Sequence, residues 1–118
     1  MQKLISWVEI PTTDFDRAVD FYNAVFELNM QKMDFGHEKM ACFPNDEGAI
    51  SYAAGFEPGK AGLLVSFNAG DDLEGMMVRI RQHGGEILQD KTKIEAENRG
   101  YFALFLDSEG NKVGLYGN

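Results

Sequence analysis

The sequence predicts an α+β fold in which one unit, a strand, a helix and three strands, occurs twice in tandem. Three observations carry that expectation. An offset of 58 residues lays one helical apolar pattern on another, with Phe15, Ala18, Val19, Tyr22, Val25 and Phe26 matched by Leu73, Met76, Met77 and Ile80. An extended apolar stretch precedes each helix, LISWVEI at 4–10 and GLLVSFN at 62–68. A turn phrase closes each unit: Phe43-Pro44-Asn45-Asp46-Glu47-Gly48 in the first, Phe105-Leu106-Asp107-Ser108-Glu109-Gly110 in the second.

Each element has a local reason. In the first strand Val8 and Ile10 share one face and Trp7 and Glu9 the other, because residues two apart point the same way. The aliphatic pair suits packing beneath a helix, and the mixed pair suits a cleft. Thr13 or Asp14 caps the helix that opens at Phe15. Asp34-Phe35-Gly36-His37-Glu38 reads as a hairpin tip, and Cys42 between Ala41 and Phe43 reads as a small buried hydrophobe in a strand. Met30, Met33 and Met40 read as core, the alternative being that with Phe35 they line an adaptable ligand pocket. Gly55-Phe56-Glu57-Pro58-Gly59-Lys60 interrupts regular structure and divides one domain, 1–118, into module one (1–57) and module two (58–118). Asp71-Asp72 opens the second helix and His83-Gly84-Gly85 stops it. In the last strand Val113 and Leu115 alternate with Gly114 and Tyr116. One helix covers one face of four strands, so pairing the two units into a curved surface leaves a cleft.

Composition narrows the function. The 118 residues suffice for one core, and no apolar run approaches the roughly 18–20 residues that cross a bilayer. The start lacks an export signal, which points to the cytoplasm. A net charge of −8 repels phosphate backbones and anionic lipid, excludes nucleic acid and membrane partners, and is compatible with a cationic ligand. One cysteine and two histidines, His37 and His83, are too few for a thiolate zinc site, and both histidines read as structural or solvated.

The stretches WVEIPTTDFDRAVDFYNAVFEL (7–28), DDLEGMMVRIRQHGGEIL (71–88) and DSEGNKVGLYG (107–117) resemble the vicinal oxygen chelate superfamily, the group of glyoxalase I, bleomycin resistance proteins, fosfomycin resistance enzymes and extradiol dioxygenases. The resemblance implies two βαβββ modules curved into an eight-stranded open-barrel cleft, commonly in a homodimer. It also implies four places where metal-dependent members carry His or Glu around a divalent ion. Here those places fall at Trp7; at Ser51, or Ala49 or Ala53 in a shifted register; at Leu64 or Val65; and at Gly114. None is a usual metal ligand, so neither a metal nor another cofactor is expected.

The candidate ligand-binding residues are therefore Trp7, Glu9, Ser51, Tyr101, Gly114 and Tyr116. Trp7 offers a ring for stacking on planar or cationic groups. Glu9 is a carboxylate that a partly dry cleft favours as a base or as a cation's partner, and it is the one weak catalytic candidate. Ser51 and Gly114 leave room, and the tyrosines offer hydroxyls. The expected function is binding of a small cationic or aromatic ligand without a metal. The alternative is a glyoxalase-type lyase or isomerase, or a dioxygenase, with Glu9, Glu38 or His37 as substitute ligands. A partner subunit or regulatory module has no positive feature in the sequence.

Overall fold

Two four-stranded sheets, each with one helix, make up the computed structural model, which describes residues 4–96 and 98–118. Met1, Gln2 and Lys3 of module one and Glu97 of module two lie outside the described residues. The first unit runs β1 (Val8–Pro11), α1 (Phe15–Phe26), β2 (Lys32–Asp34), β3 (Glu38–Cys42) and β4 (Gly48–Ala53). The second runs β5 (Ser66–Gly70), α2 (Leu73–Gln82), β6 (Glu86–Lys93), β7 (Tyr101–Leu106) and β8 (Lys112–Gly117). Both sheets have the same order, first–fourth–third–second, with the first strand parallel to the fourth and the others antiparallel.

The helices form where the spacing placed them. Asp14 Oδ1 accepts the Arg17 amide at 3.1 Å and caps α1, which buries Phe15, Ala18, Val19, Phe21, Tyr22 and Val25. Each such aromatic or branched side chain contributes about 1.5–3 kcal/mol when fully buried. A left-handed Glu27 ends α1. At the end of α2 the Gly85 amide returns to the Ile80 carbonyl at 2.8 Å across a left-handed Gly84.

Both leading strands start later than the apolar stretches suggest. Val8 faces Gly48, the first residue of β4, and donates to the Glu47 carbonyl at 3.2 Å. Before Gly48 the chain leaves the ladder in a single turn at Pro44–Asp46, so Leu4–Trp7 have no strand to pair with there. In module two Ser66 faces Gly114, the third residue of β8, so β5 begins two residues later than its partner does, and Leu63 and Leu64 precede the ladder. β1 begins where its partner β4 begins, whatever the propensity of the residues before it.

A seam of rings joins the units. Tyr22 stacks on Phe26 with centroids 5.8 Å apart, Phe26 meets Phe67 of β5 at 4.7 Å, and Phe67 meets Phe43 edge-on at 5.5 Å. A polar staple built on the turn before β8 does the same. Asp107 accepts Tyr22 Oη at 2.8 Å and the Asn111 amide at 2.9 Å. Asn111 Nδ2 donates to the Pro11 carbonyl at 2.9 Å, and its Oδ1 accepts from the Gly59 amide at 3.1 Å. Glu109 Oε1 accepts from the Thr13 and Asp14 amides at 2.9 and 2.7 Å, so a carboxylate from module two serves the N-terminus of the module-one helix.

Candidate functional site

Between β1 and the segment that leads into β5 lies a hollow of about 680 Å³, and its walls include Trp7, Glu9, Phe56, Leu63, Leu64 and Lys112. Its shape follows from the late start of both leading strands. Leu4, Ile5, Leu63 and Leu64 stand 93%, 64%, 96% and 52% exposed, an unusual display of large apolar side chains. Trp7 is partly exposed beside them.

Glu9 is held from behind. Ser51 Oγ donates to Glu9 Oε1 at 2.7 Å, while the Ser51 carbonyl accepts from Thr12 Oγ1 at 3.0 Å. Thr12 and Ser51 are both buried. None of the ion pairs among the described residues involves Glu9, so its carboxyl group lines the hollow without a Lys or Arg partner from that set.

The other sequence-derived candidates lie elsewhere. Gly114 is buried on sheet two, where a β-carbon would overlap Ser66 Oγ of the neighbouring strand. The space above this glycine is taken by Ser66, which is a packing reason for the missing side chain. Tyr116 shares that face and is partly exposed. Tyr101 is packed against the core, sharing a strand face with buried Ala103 and Phe105, with Lys91 Nζ 4.7 Å and Lys93 Nζ 5.7 Å from its ring centre. Phe56, Leu63 and Lys112 were not singled out by the sequence; the one signal for them was an apolar pair, Leu63-Leu64, directly after a Gly/Pro-rich break.

The pairing register can be laid over the four metal places that the resemblance implies. Setting the core-facing pair Ile10↔Ile50 against Phe67↔Leu115 makes Ala49 the counterpart of Gly114, and Leu64 the counterpart of Trp7. Those places hold Trp7, Ala49, Leu64 and Gly114, which offer no side-chain donor fit for a divalent ion. Substitute ligands do not converge either. Glu38 pairs with Ala53 and Glu9 with Ala49, two strands and four residues apart, roughly 10 Å across and 13 Å along the sheet. His37 is exposed at the hairpin tip. Among the described residues no group of three or more His, Cys, Asp or Glu is placed to hold a metal ion. The residues present do not fit the ion that the superfamily's enzymes use.

Burial by itself pushes the Glu109 carboxyl up, but the Arg17 guanidinium at 2.7 Å, the Asp14 amide, Ser108 and the Thr13 amide outweigh it and hold the group below the usual carboxylate range. Burial, reinforced by Asp107, pushes the Tyr22 phenol well above its ordinary value, so it remains a donor. Both belong to the staple and neither faces the hollow. A second hollow of about 350 Å³ is lined by Leu28, Met30, Met33 and Cys42. Among the described residues no helix is long and apolar enough to cross a membrane.

Comparison with known proteins agrees with this architecture. Residues 4–115 match the sequence model of the Glyoxalase/Bleomycin resistance protein/Dioxygenase superfamily. A glyoxylase-like domain-containing protein of Didymella fabae is 33% identical over 116 residues, covering 91% of this chain and 88% of the relative. A glyoxylase/bleomycin resistance protein/dioxygenase domain from Frankia sp. EAN1pec superposes with a TM-score of 0.76 at 14% identity, covering 100% of this chain and 99% of the other. A family enzyme from Burkholderia phytofirmans PsJN gives 0.73 at 18%, covering 96% and 97%. With two βαβββ units in mixed sheets that do not close, and a sequence match along nearly its whole length, the chain belongs to the glyoxalase/bleomycin resistance protein/dioxygenase superfamily, the vicinal oxygen chelate group.

Proposed function

We propose that the protein binds a small organic ligand, cationic or aromatic, in the hollow beside β1, and that it does so without a resident metal. The observation that carries this reading is the pairing of Trp7 with a hydrogen-bonded Glu9 carboxylate on the wall of one roomy, largely apolar hollow. A cation there gains Coulomb attraction from Glu9 and stacks against an indole face, the most favourable ring for such contact. The net charge of −8 raises the local concentration of cations and steers them in.

A homodimer belongs to the same proposal. The apolar segments at 4–7 and 63–64 flank β1 and β5, each of which has a single partner strand among the described residues. A second copy laid over these segments would cover the exposed leucines and enclose the hollow.

The test is calorimetric titration of chelator-dialysed protein with benzyltrimethylammonium, together with Glu9→Gln and analysis of bound metal. Saturable binding that weakens about tenfold in Glu9→Gln, which removes the Coulomb attraction, supports the reading. Stoichiometric divalent metal in the purified protein, or equal affinity in Glu9→Gln, overturns it.

A further inference from the structure

We infer that Ser51 is a positioning residue for Glu9 and does not itself contact ligand, an inference that rests on the ligand reading above. Ser51 is 1% exposed, so a guest in the hollow cannot reach its hydroxyl without displacing what covers it. Its single side-chain proton is committed to Glu9 Oε1 at 2.7 Å. Its backbone is fixed in turn, because Thr12 Oγ1 donates to the Ser51 carbonyl at 3.0 Å and Thr12 is itself 2% exposed.

Two buried polar side chains, Thr12 and Ser51, therefore form a short rigid bracket behind one carboxylate. An unrestrained surface glutamate samples several rotamers, and ordering it against a ligand takes free energy out of binding. The bracket orders Glu9 before any ligand arrives. It occupies Oε1 and leaves Oε2, which has no hydrogen bond among the described residues, as the oxygen presented to the hollow, where a cation meets it by Coulomb attraction. Ala49, which pairs with Glu9 across the strands, is too small to obstruct that orientation.

Ser51→Ala is the direct test, read in two ways. The first needs no ligand: the Hα–Hβ scalar couplings of Glu9 by NMR report one rotamer in the native protein and an average over several in Ser51→Ala. The second uses two probes, benzyltrimethylammonium and uncharged benzyl alcohol. Ser51→Ala weakens the cation about tenfold and leaves benzyl alcohol unchanged, since the bracket acts through the carboxylate; general loosening of the fold would weaken both.

Retention of a single Glu9 rotamer in Ser51→Ala, with unchanged affinity for the cation, overturns the inference while leaving the ligand reading intact, provided Glu9→Gln still loses binding. Should Glu9→Gln bind the cation as well as the native protein does, the ligand reading falls, and the couplings alone decide whether Ser51 positions Glu9. Ser51→Cys, nearly isosteric with a weaker donor, replaces the alanine variant if that variant does not fold.

Discussion

Gly114 shows how one residue can carry two readings. From sequence it marks a place where the superfamily's enzymes use a glutamate. In the structure a β-carbon at this position would come 2.4 Å from Ser66 Oγ and 3.3–3.5 Å from Ser66 Cβ and Cα on the neighbouring strand. Gly114→Ala should therefore destabilise the protein by about 1–2 kcal/mol, and the loss should shrink when combined with Ser66→Ala, since the hydroxyl is the nearest atom. Urea denaturation of the two single variants and the double variant measures the coupling. Additive losses would mean that Ser66 is not what excludes a side chain at Gly114. That Trp7 and Glu9 share a face was legible because strand alternation is local and strict, and both line the hollow. Ser51's burial was not, since it depends on Glu9 and Thr12 lying across from it, contacts 42 and 39 residues distant in sequence. The face of Tyr101 was not legible for a similar reason: a strand aromatic suits either face, and only the pairing with β8 and packing against the core decide which.

At the scale of elements, α1 was readable almost to the residue because its apolar period and its Asp14 cap both lie within it. The start of β1 was not, because the limit of its ladder belongs to β4, and β5 begins two residues inside the span of β8. The tie between the β7–β8 turn and α1 was equally invisible, since it joins Glu109 to amides 96 and 95 residues earlier. That tie makes a prediction about which partner matters. The Glu109 side chain is fully buried and serves two helix-terminal amides, whereas Arg17 is 54% exposed. Glu109→Ala should lose about 2 kcal/mol and Arg17→Ala less than about 1 kcal/mol, because an amide left without an acceptor costs more than a solvent-screened ion pair. The order of the two losses in chemical denaturation checks this. The direction of the Glu109 shift adds a pH signature. A carboxyl lowered on folding contributes stability that is complete above its unfolded value, about 4.3, and is lost as pH falls through the folded value. Native protein should therefore lose more stability between about pH 6 and 3 than Glu109→Gln does; parallel acid profiles would remove Glu109 from that role.

The whole molecule holds together through the ring seam and the staple, both of which cross from one unit to the other. Phe67 of module two sits among Tyr22, Phe26 and Phe43 of module one. Phe67→Ala should destabilise by about 3 kcal/mol, and probes in either module should report one shared unfolding transition. Two separated transitions would show that the units fold independently. The repeat itself was legible because apolar period, turn phrase and strand–helix order all recur. The hollow was not, because it forms where two segments 4–7 and 61–65, distant in sequence, both fall short of their ladders. Its charge balance connects to the molecule at large: the chain is acidic, and Glu9 on the hollow wall has no Lys or Arg ion-pair partner among the described residues.

Trp7 is the single tryptophan, so its fluorescence reports directly on the hollow. Titrating chelator-dialysed protein with benzyltrimethylammonium should quench that emission saturably, and Glu9→Gln should shift the midpoint to about tenfold higher concentration. Quenching that appears only after a divalent metal is added, or that is identical in Glu9→Gln, would contradict the account.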